Sequence, residues 1–368
     1  MYQSLGEDYY LDSTLPFYCA LKVYPKPMEL IVLLQKSTPE VVFQIIVNAM
    51  TLEQKNIQYG FYVDFPPAGT HVKLGELPSN TMENGKQAMR RGLVADMDIK
   101  AGEVIYEETP MISTLNPDSE GEYCNLCMKK INQDEKVECS YCDRVGYCSV
   151  ECEQQSTKLY HQFMCTDNKT KVHGAKETAF YNHISTNNLK FPQMIARFLS
   201  SILAEEMEKK QMEKQNKRYY TLYYHMDKYR YLETSATENT DKEIILLKDV
   251  LTNKVPGIEQ YVTDETYLVL KGKLMYNSYS IPDLDSTPLD NQKESLIEEN
   301  HRQIPSLKNN KIIGVGLYKI STYIGQSDAS PNVKLEFRSG NNILTVVAIN
   351  DIKKGEELVS DYILPTSN

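Results

Sequence analysis

The sequence predicts an α+β protein, in which a core of short strands is split by a cysteine-rich segment and a helical insert and is preceded by a small helical N-terminal region. Three observations carry this reading. Seven of the eight cysteines fall between Cys124 and Cys165. Strand-like pieces lie on both sides of that cluster. Helical periodicity is confined to the N-terminal region and to the stretch that follows the cysteines.

The N-terminal region, 1–85, comes first. Ser37-Thr38-Pro39 offers a cap and an N1 proline before a helix with Val41, Val42, Ile45 and Ile46 on one side, and a second start follows at Thr51 with Gln54 set for a capping box. Phe65-Pro66-Pro67-Ala68-Gly69 breaks the pattern and reads as a linker. No chemical motif precedes it.

The next part, 86–120, changes character. Arg91-Gly92-Leu93-Val94-Ala95, a turn ending in Lys100-Ala101-Gly102-Glu103, and Val104-Ile105-Tyr106 suggest two short strands joined by a turn. The cysteine cluster occupies 121–170 and a helical insert 171–260. Within the insert Phe191-Pro192 opens a helix with Met194, Ile195, Phe198, Leu199, Ile202 and Leu203 at helical spacing. Its continuation, Glu208 to Lys214, mixes both signs of charge and reads as a solvated face, and Tyr219 to Tyr231 as further helical packing. The closing part, 261–368, returns to strands at 312–318 and 343–348, with turns at Ser339-Gly340-Asn341-Asn342 and Lys353-Lys354-Gly355.

The cysteines come in pairs: Cys124-x2-Cys127, Cys139-x2-Cys142, Cys148-x3-Cys152 and His161-x3-Cys165. Two residues separated by two or three others can aim both donors at one ion from a single turn, and a zinc ion takes four nitrogen or sulfur ligands. Eight donors therefore fill two tetrahedral sites with none left over. No ligand position stays open to water, so both zincs are expected to be structural, with metal binding supplying folding energy that so small a segment cannot draw from a core. Cys19 stands apart and reads as a packed thiol.

Tyr147-Cys148-Ser149-Val150-Glu151-Cys152, followed by His161 and Cys165, resembles the MYND finger. That resemblance implies interleaved ligands, with Cys124, Cys127, Cys148 and Cys152 on one zinc and Cys139, Cys142, His161 and Cys165 on the other, and a finger that grips a proline-containing peptide. The flanks are similar to a SET domain split by the finger, the arrangement of the SMYD proteins, most of all their fungal members. The segments that carry this are Arg91 to Glu103, Gly272 to Ile281, Gly314 to Asn332 and Gly355 to Tyr362. What the resemblance implies is a protein-lysine N-methyltransferase that uses S-adenosylmethionine on histones or other basic proteins. Tyr362 matches the tyrosine beside the amine and the travelling methyl group. Arg90, Arg91, Gly92, Asn277, Gly325 and Gln326 stand at the cofactor positions.

The chain departs from the family pattern at three places. Arg90-Arg91-Gly92 stands for Gly-Arg-Gly, so a side chain projects where backbone would approach the cofactor, although Arg90 can also meet the cofactor's carboxylate. Aligned from the left, Gly325 and Gln326 replace the family's asparagine and histidine with one residue inserted; aligned from Pro331-Asn332, Gln326 and Ser327 do. No cysteine follows Cys165, so the cysteine-rich segment that closes the lysine channel in relatives is not expected. These departures favour a second reading, an inactive SET/MYND adaptor that recruits partners through its finger.

Bulk properties bound both readings. A net charge of −10 disfavours binding to the phosphate backbone of nucleic acids and suits a basic protein partner. No apolar run reaches the roughly 18 residues that a spanning helix needs. The acidic start, Met1 to Asp8, lacks a secretory pattern, so an intracellular location, nuclear or cytoplasmic, is expected, with reduced thiols.

Overall fold

A computed structural model describes residues 10–23, 27–83, 85–169, 175–212, 221–286, 301–307 and 309–365. The expectations for Met1 to Asp8, for residues 213 and 214, and for Tyr219 lie outside these residues.

The chain divides into two compact units, Met1–Ala68 and Gly69–Asn368. The first contains α1 (Tyr10–Val23), α2 (Pro27–Ser37) and α3 (Glu40–Asp64), which close over Leu21, Leu34, Val42 and Ile46. The second helix start expected at Thr51 does not occur, because the Thr51 hydroxyl donates back to the Val47 carbonyl inside a continuous α3. Ser37 and Thr38 likewise donate to Leu33 and Leu34 and finish α2 rather than begin α3. Val41 is exposed, so the buried face is narrower than its spacing suggested.

The unit boundary falls within the proline-glycine linker, not at residue 85. Residues 72–83 form β1 (Val72–Glu83), which pairs antiparallel with β2 (Lys86–Ala95) from Val72↔Ala95 to Glu83↔Lys86. The sequence marks this hairpin with Asn84-Gly85 between the paired Glu83 and Lys86, a signal that the reading of 1–85 as one region leaves out. β3 (Val104–Glu108) follows, and the expected pair of strands is real but not a hairpin: β3 pairs with β11 (Leu344–Ala348), which in turn pairs with β10 (Val333–Phe337). β4 (Ile112–Leu115) joins β8 (Ile312–Leu317) and β7 (Ser278–Pro282) in the order β4-β8-β7.

Between β4 and β7 the chain builds the finger and the helices. The finger holds β5 (Val137–Glu138), β6 (Gly146–Tyr147), α4 (Val150–Ser156) and α5 (Gln162–Met164), with a π turn at Thr157–His161 joining the last two. The insert contains α6 (Ala175–Thr186), α7 (Phe191–Met212), α8 (Leu222–Lys228), α9 (Thr240–Lys254) and α10 (Asp264–Asn277). Met194, Ile195 and Phe198 of α7 are fully buried among residues of α6, α9 and α10, as the periodicity of α7 required. α8 is the one helix within 219–231 among the described residues, and Tyr223 and Tyr231 are exposed rather than packed. The α+β class holds, with helices set against several small sheets.

The closing strands matter most for function. β9 (Gly325–Gln326) and β12 (Val359–Ser360) pair in parallel, with Gly325 opposite Val359 and Gln326 opposite Ser360. β2 touches the same region through a bridge from Val94 to Glu357. Asn332 fastens it: its amide donates to the Glu357 carbonyl at 2.8 Å and accepts from the Val359 N–H at 2.8 Å.

Candidate functional site

Two groups of donors converge in the finger. Cys124, Cys127, Cys148 and Cys152 lie within 4.8 Å of one another, as do Cys139, Cys142, His161 and Cys165. A zinc ion with bonds of about 2.3 Å to sulfur demands ligand–ligand edges of about 3.8 Å. The separations agree: 3.5 Å for Cys127–Cys148, 3.7 Å for Cys148–Cys152, 3.9 Å for Cys139–Cys165 and 3.5 Å from Cys142 to the His161 Nε2. The π turn places His161 and Cys165 on one wall, and the Ser149 side chain caps α4 at Cys152.

The thiols also fit a dication electrostatically. The hydrogen bond with Cys127 is the main cause that holds Cys124 down to about 5, and the one with Cys165 holds Cys142 down to about 3, while Cys127 and Cys165 are pushed up by the same contacts. A bound Zn²⁺ would take the sulfurs of each group as thiolates. Zinc therefore fits both groups, with the ligands divided as the MYND resemblance implied.

The finger is locked to the strands. The buried Arg197 of α7 donates to the Ser113 carbonyl at 2.7 Å and to the Asn125 side chain at 2.6 Å. Asn342 donates to the Leu126 carbonyl at 2.9 Å and receives support from Tyr318.

Of the six residues expected at the cofactor, Arg90, Gly92 and Gly325 gather where β2 meets the β9–β12 pair, around one carboxylate. Glu357 pairs with Arg90 at 2.7 Å. A Cβ on Gly92 would lie 3.3 Å from Glu357 and 2.8 Å from Arg90, and a Cβ on Gly325 would run into Glu357 and lie 2.9 Å from Val359. Gly92 and Gly325 thus border one cradle from two strands. Arg91 points the other way and pairs with Glu76 across β1, as strand alternation requires. Gln326 is exposed and donates to Asp328 at 2.7 Å, away from the cradle.

Asn277 is buried and already engaged. It donates to the Arg230 and Lys273 carbonyls at 2.7 Å each, and accepts from Thr322 at 2.7 Å and from Arg302 at 3.4 Å. An asparagine amide has two donors and an acceptor oxygen with two lone pairs. All are used internally.

Tyr362 is buried, its hydroxyl donating to the Ile324 carbonyl at 3.1 Å, next to Gly325. Its ring meets Tyr279 edge-on at 5.6 Å. Burial raises the Tyr362 hydroxyl above the ordinary tyrosine value, and the Arg302 guanidinium, 4.6 Å from the ring centre, pulls it back. Nothing in the local sequence pointed to Arg302. Its place comes from backbone pairing, since Arg302 bridges Tyr279 of β7 while the next residue, Gln303, bridges Ile363.

The model of the SET domain family matches residues 90–363, and that of the MAS20 protein import receptor matches residues 2–62. The first match spans most of the chain, which belongs to the SET domain family. With two complete zinc ligand sets in a finger placed between its strands, the chain is a SET and MYND domain protein of the SMYD type. Human protein-lysine N-methyltransferase SMYD4 is 36% identical over 93 residues, 20% of this chain and 11% of that protein. The matched stretch is thus about a tenth of that relative's length. Human protein-lysine N-trimethyltransferase SMYD5 is 20% identical over 337 residues, 75% of this chain and 77% of that protein. The solved SET domain of LSMT, bound to lysine and AdoHcy, aligns with a TM-score of 0.32 at 13% identity, over 85% of this chain and 54% of that one. No helix among the described residues is long and apolar enough to cross a membrane.

Proposed function

We propose that this chain transfers a methyl group from S-adenosylmethionine to the side-chain amine of a lysine in a protein substrate, histone tails and other basic proteins being the class its charge of −10 favours. The observation that carries the reading is the convergence of Tyr362, just beyond β12, with Gly325 of β9 and Gly92 of β2 on one buried corner. The named activities of the SMYD relatives agree with it.

The cradle suits the cofactor's amino-acid end. Arg90 offers the cation for a carboxylate, and Glu357 is the anion that stands against it here. At Gly92 and Gly325 the absence of a side chain lets Leu77, Arg90 and Glu357 close up against the backbone, and any Cβ there would collide with them. When bound, S-adenosylmethionine supplies a methyl group on a positively charged sulfur. The protein's share is alignment and the neutral amine. Burial around Tyr362 disfavours the charged form of an incoming lysine, whose ordinary pKa is about 10.4. The Tyr362 hydroxyl, held by Ile324, orients that amine, and good alignment is worth several orders of magnitude in rate. In this reading the finger's task is to hold the partner protein, through a proline-containing segment.

Calorimetric titration of the zinc-loaded protein with S-adenosylmethionine tests the proposal. Micromolar binding that weakens on Arg90→Ala is expected. Well-folded protein that binds neither the cofactor nor its demethylated product would exclude methyl transfer and leave the adaptor reading.

A further inference from the structure

Arg302 is 2% exposed, and no described residue gives it a carboxylate. A buried cation without a counter-charge is costly unless other groups replace its water. Here they do. Nη1 donates to the Tyr279 hydroxyl at 2.8 Å and to the Thr322 carbonyl at 3.2 Å, and Nε donates to the Tyr276 carbonyl at 2.9 Å. The guanidinium lies 4.6 Å from the Tyr362 ring centre, 5.2 Å from Tyr279 and 5.5 Å from Tyr276. Three aromatic faces around one cation make a cage, the arrangement that recognises alkylammonium groups. Carbonyl and phenol oxygens complete it.

A lysine amine on its four-carbon stem would need the same things: apolar walls for the stem, ring faces and oxygen acceptors for the head. It would also have to reach the face of Tyr362. We propose that Arg302 is an internal occupant of the acceptor-amine site, filling from within the tyrosine cage that a substrate lysine must enter. The inference rests on the reading of Tyr362 as the residue beside the reacting amine. Packing alone would be met by an apolar side chain of the same volume without burying a charge. An external lysine is accepted only when Arg302 is displaced.

Arg302→Lys turns the occupant into an acceptor. In the full-length zinc-loaded variant supplied with S-adenosylmethionine, the lone pair of the amine introduced at position 302 attacks the methyl carbon. The carbon–nitrogen bond forms as the carbon–sulfur bond breaks, sulfur keeps the bonding pair as a neutral thioether, and the extra proton on nitrogen passes to water. Intact mass and peptide mapping are expected to find methyl groups at position 302 in this variant and none in Arg302→Lys/Tyr362→Phe. Because a lysine is shorter than an arginine, Arg302→Ala with n-butylamine provides a second measurement, in which labelled N-methylbutylamine is the expected product.

Methylation in either experiment supports the proposal. Both variants folded, binding S-adenosylmethionine as tightly as the wild type and yet yielding no methylated amine, would overturn it. Absence of cofactor binding by the wild type and by both variants would instead remove the methyltransferase reading beneath it.

Discussion

Gly325 has no room for a side chain, since a Cβ there would run into the Glu357 carboxylate. Gly325→Ala is therefore expected to push Glu357 away from Arg90, to destabilise by roughly 1–3 kcal/mol as overpacking does, and to weaken cofactor binding, all measurable by thermal melts and calorimetry. Unchanged values for both would show that the cradle is not a binding surface. Tyr362→Phe removes only the hydroxyl that donates to Ile324. It should leave cofactor affinity intact and slow methyl transfer about a hundredfold or more, the scale on which misplacement of a reacting group acts. A rate equal to that of the wild type would take Tyr362 out of the mechanism.

His225 belongs to a different problem, that of acid stability. Burial, and secondarily Lys319, hold its imidazole down to about 3, well below the ordinary value of about 6.5. The folded pKa is depressed, so between these limits the unfolded chain carries the proton and the folded chain does not. Stability present above about pH 6.5 is lost as pH falls toward 3. His225→Gln should flatten the decline in melting temperature between about pH 7 and pH 5. A slope that matches the wild type would assign the decline to other groups.

At the scale of elements, the finger depends on metal. Its apolar residues Ile131, Val145 and Tyr147 pack chiefly against the ligand cysteines, and a structural zinc contributes about 10 kcal/mol or more to such a segment. Cys142→Ser should halve the zinc content measured by emission spectroscopy and expose the finger to protease between Cys139 and Cys165, while the Cys124 group keeps its ion. Full zinc occupancy in that variant would contradict the ligand sets. The β9–β12 pair depends on Asn332 instead, which bonds Glu357 and Val359 at once. Asn332→Ala leaves two backbone groups unpaired, at about 1–3 kcal/mol, and loosens the strands that carry both Gly325 and the approach to Tyr362.

For the whole molecule, the two-unit division sets the expectation. Every residue of the zinc groups, the cradle and the tyrosine cage lies beyond Gly69. Limited proteolysis should cut within 65–71, and residues 69–368 expressed alone should retain two zincs and the cofactor affinity of the full chain. Loss of affinity in that fragment would assign the N-terminal helices a part in the site.

Much of this was legible in the chain itself. The eight ligands, the helix that opens at Phe191 and the closing turns were readable because ligand spacing, helical periodicity and glycine at positive φ, as at Gly340 and Gly355, are local constraints, whereas the division of the ligands between two ions came from the MYND resemblance and not from spacing. The linker at 65–69 was readable for the same reason, as was the Asn84-Gly85 turn of the hairpin after it. Strand partners were decided only in three dimensions: β2 and β3 are neighbours in sequence yet belong to different sheets, because pairing depends on which distant edge is free. The roles of single polar residues were decided there too. Arg90 meets Glu357, 267 residues away, and Asn277 is spent on internal bonds. Arg302 enters the tyrosine cage because it bridges Tyr279 while its neighbour Gln303 bridges Ile363, the residue after Tyr362. Spacing along the chain marks the close pairs of donors that can meet one ion, but which pairs share it, and which partners a buried charge takes, is decided by what the tertiary structure brings within bonding distance.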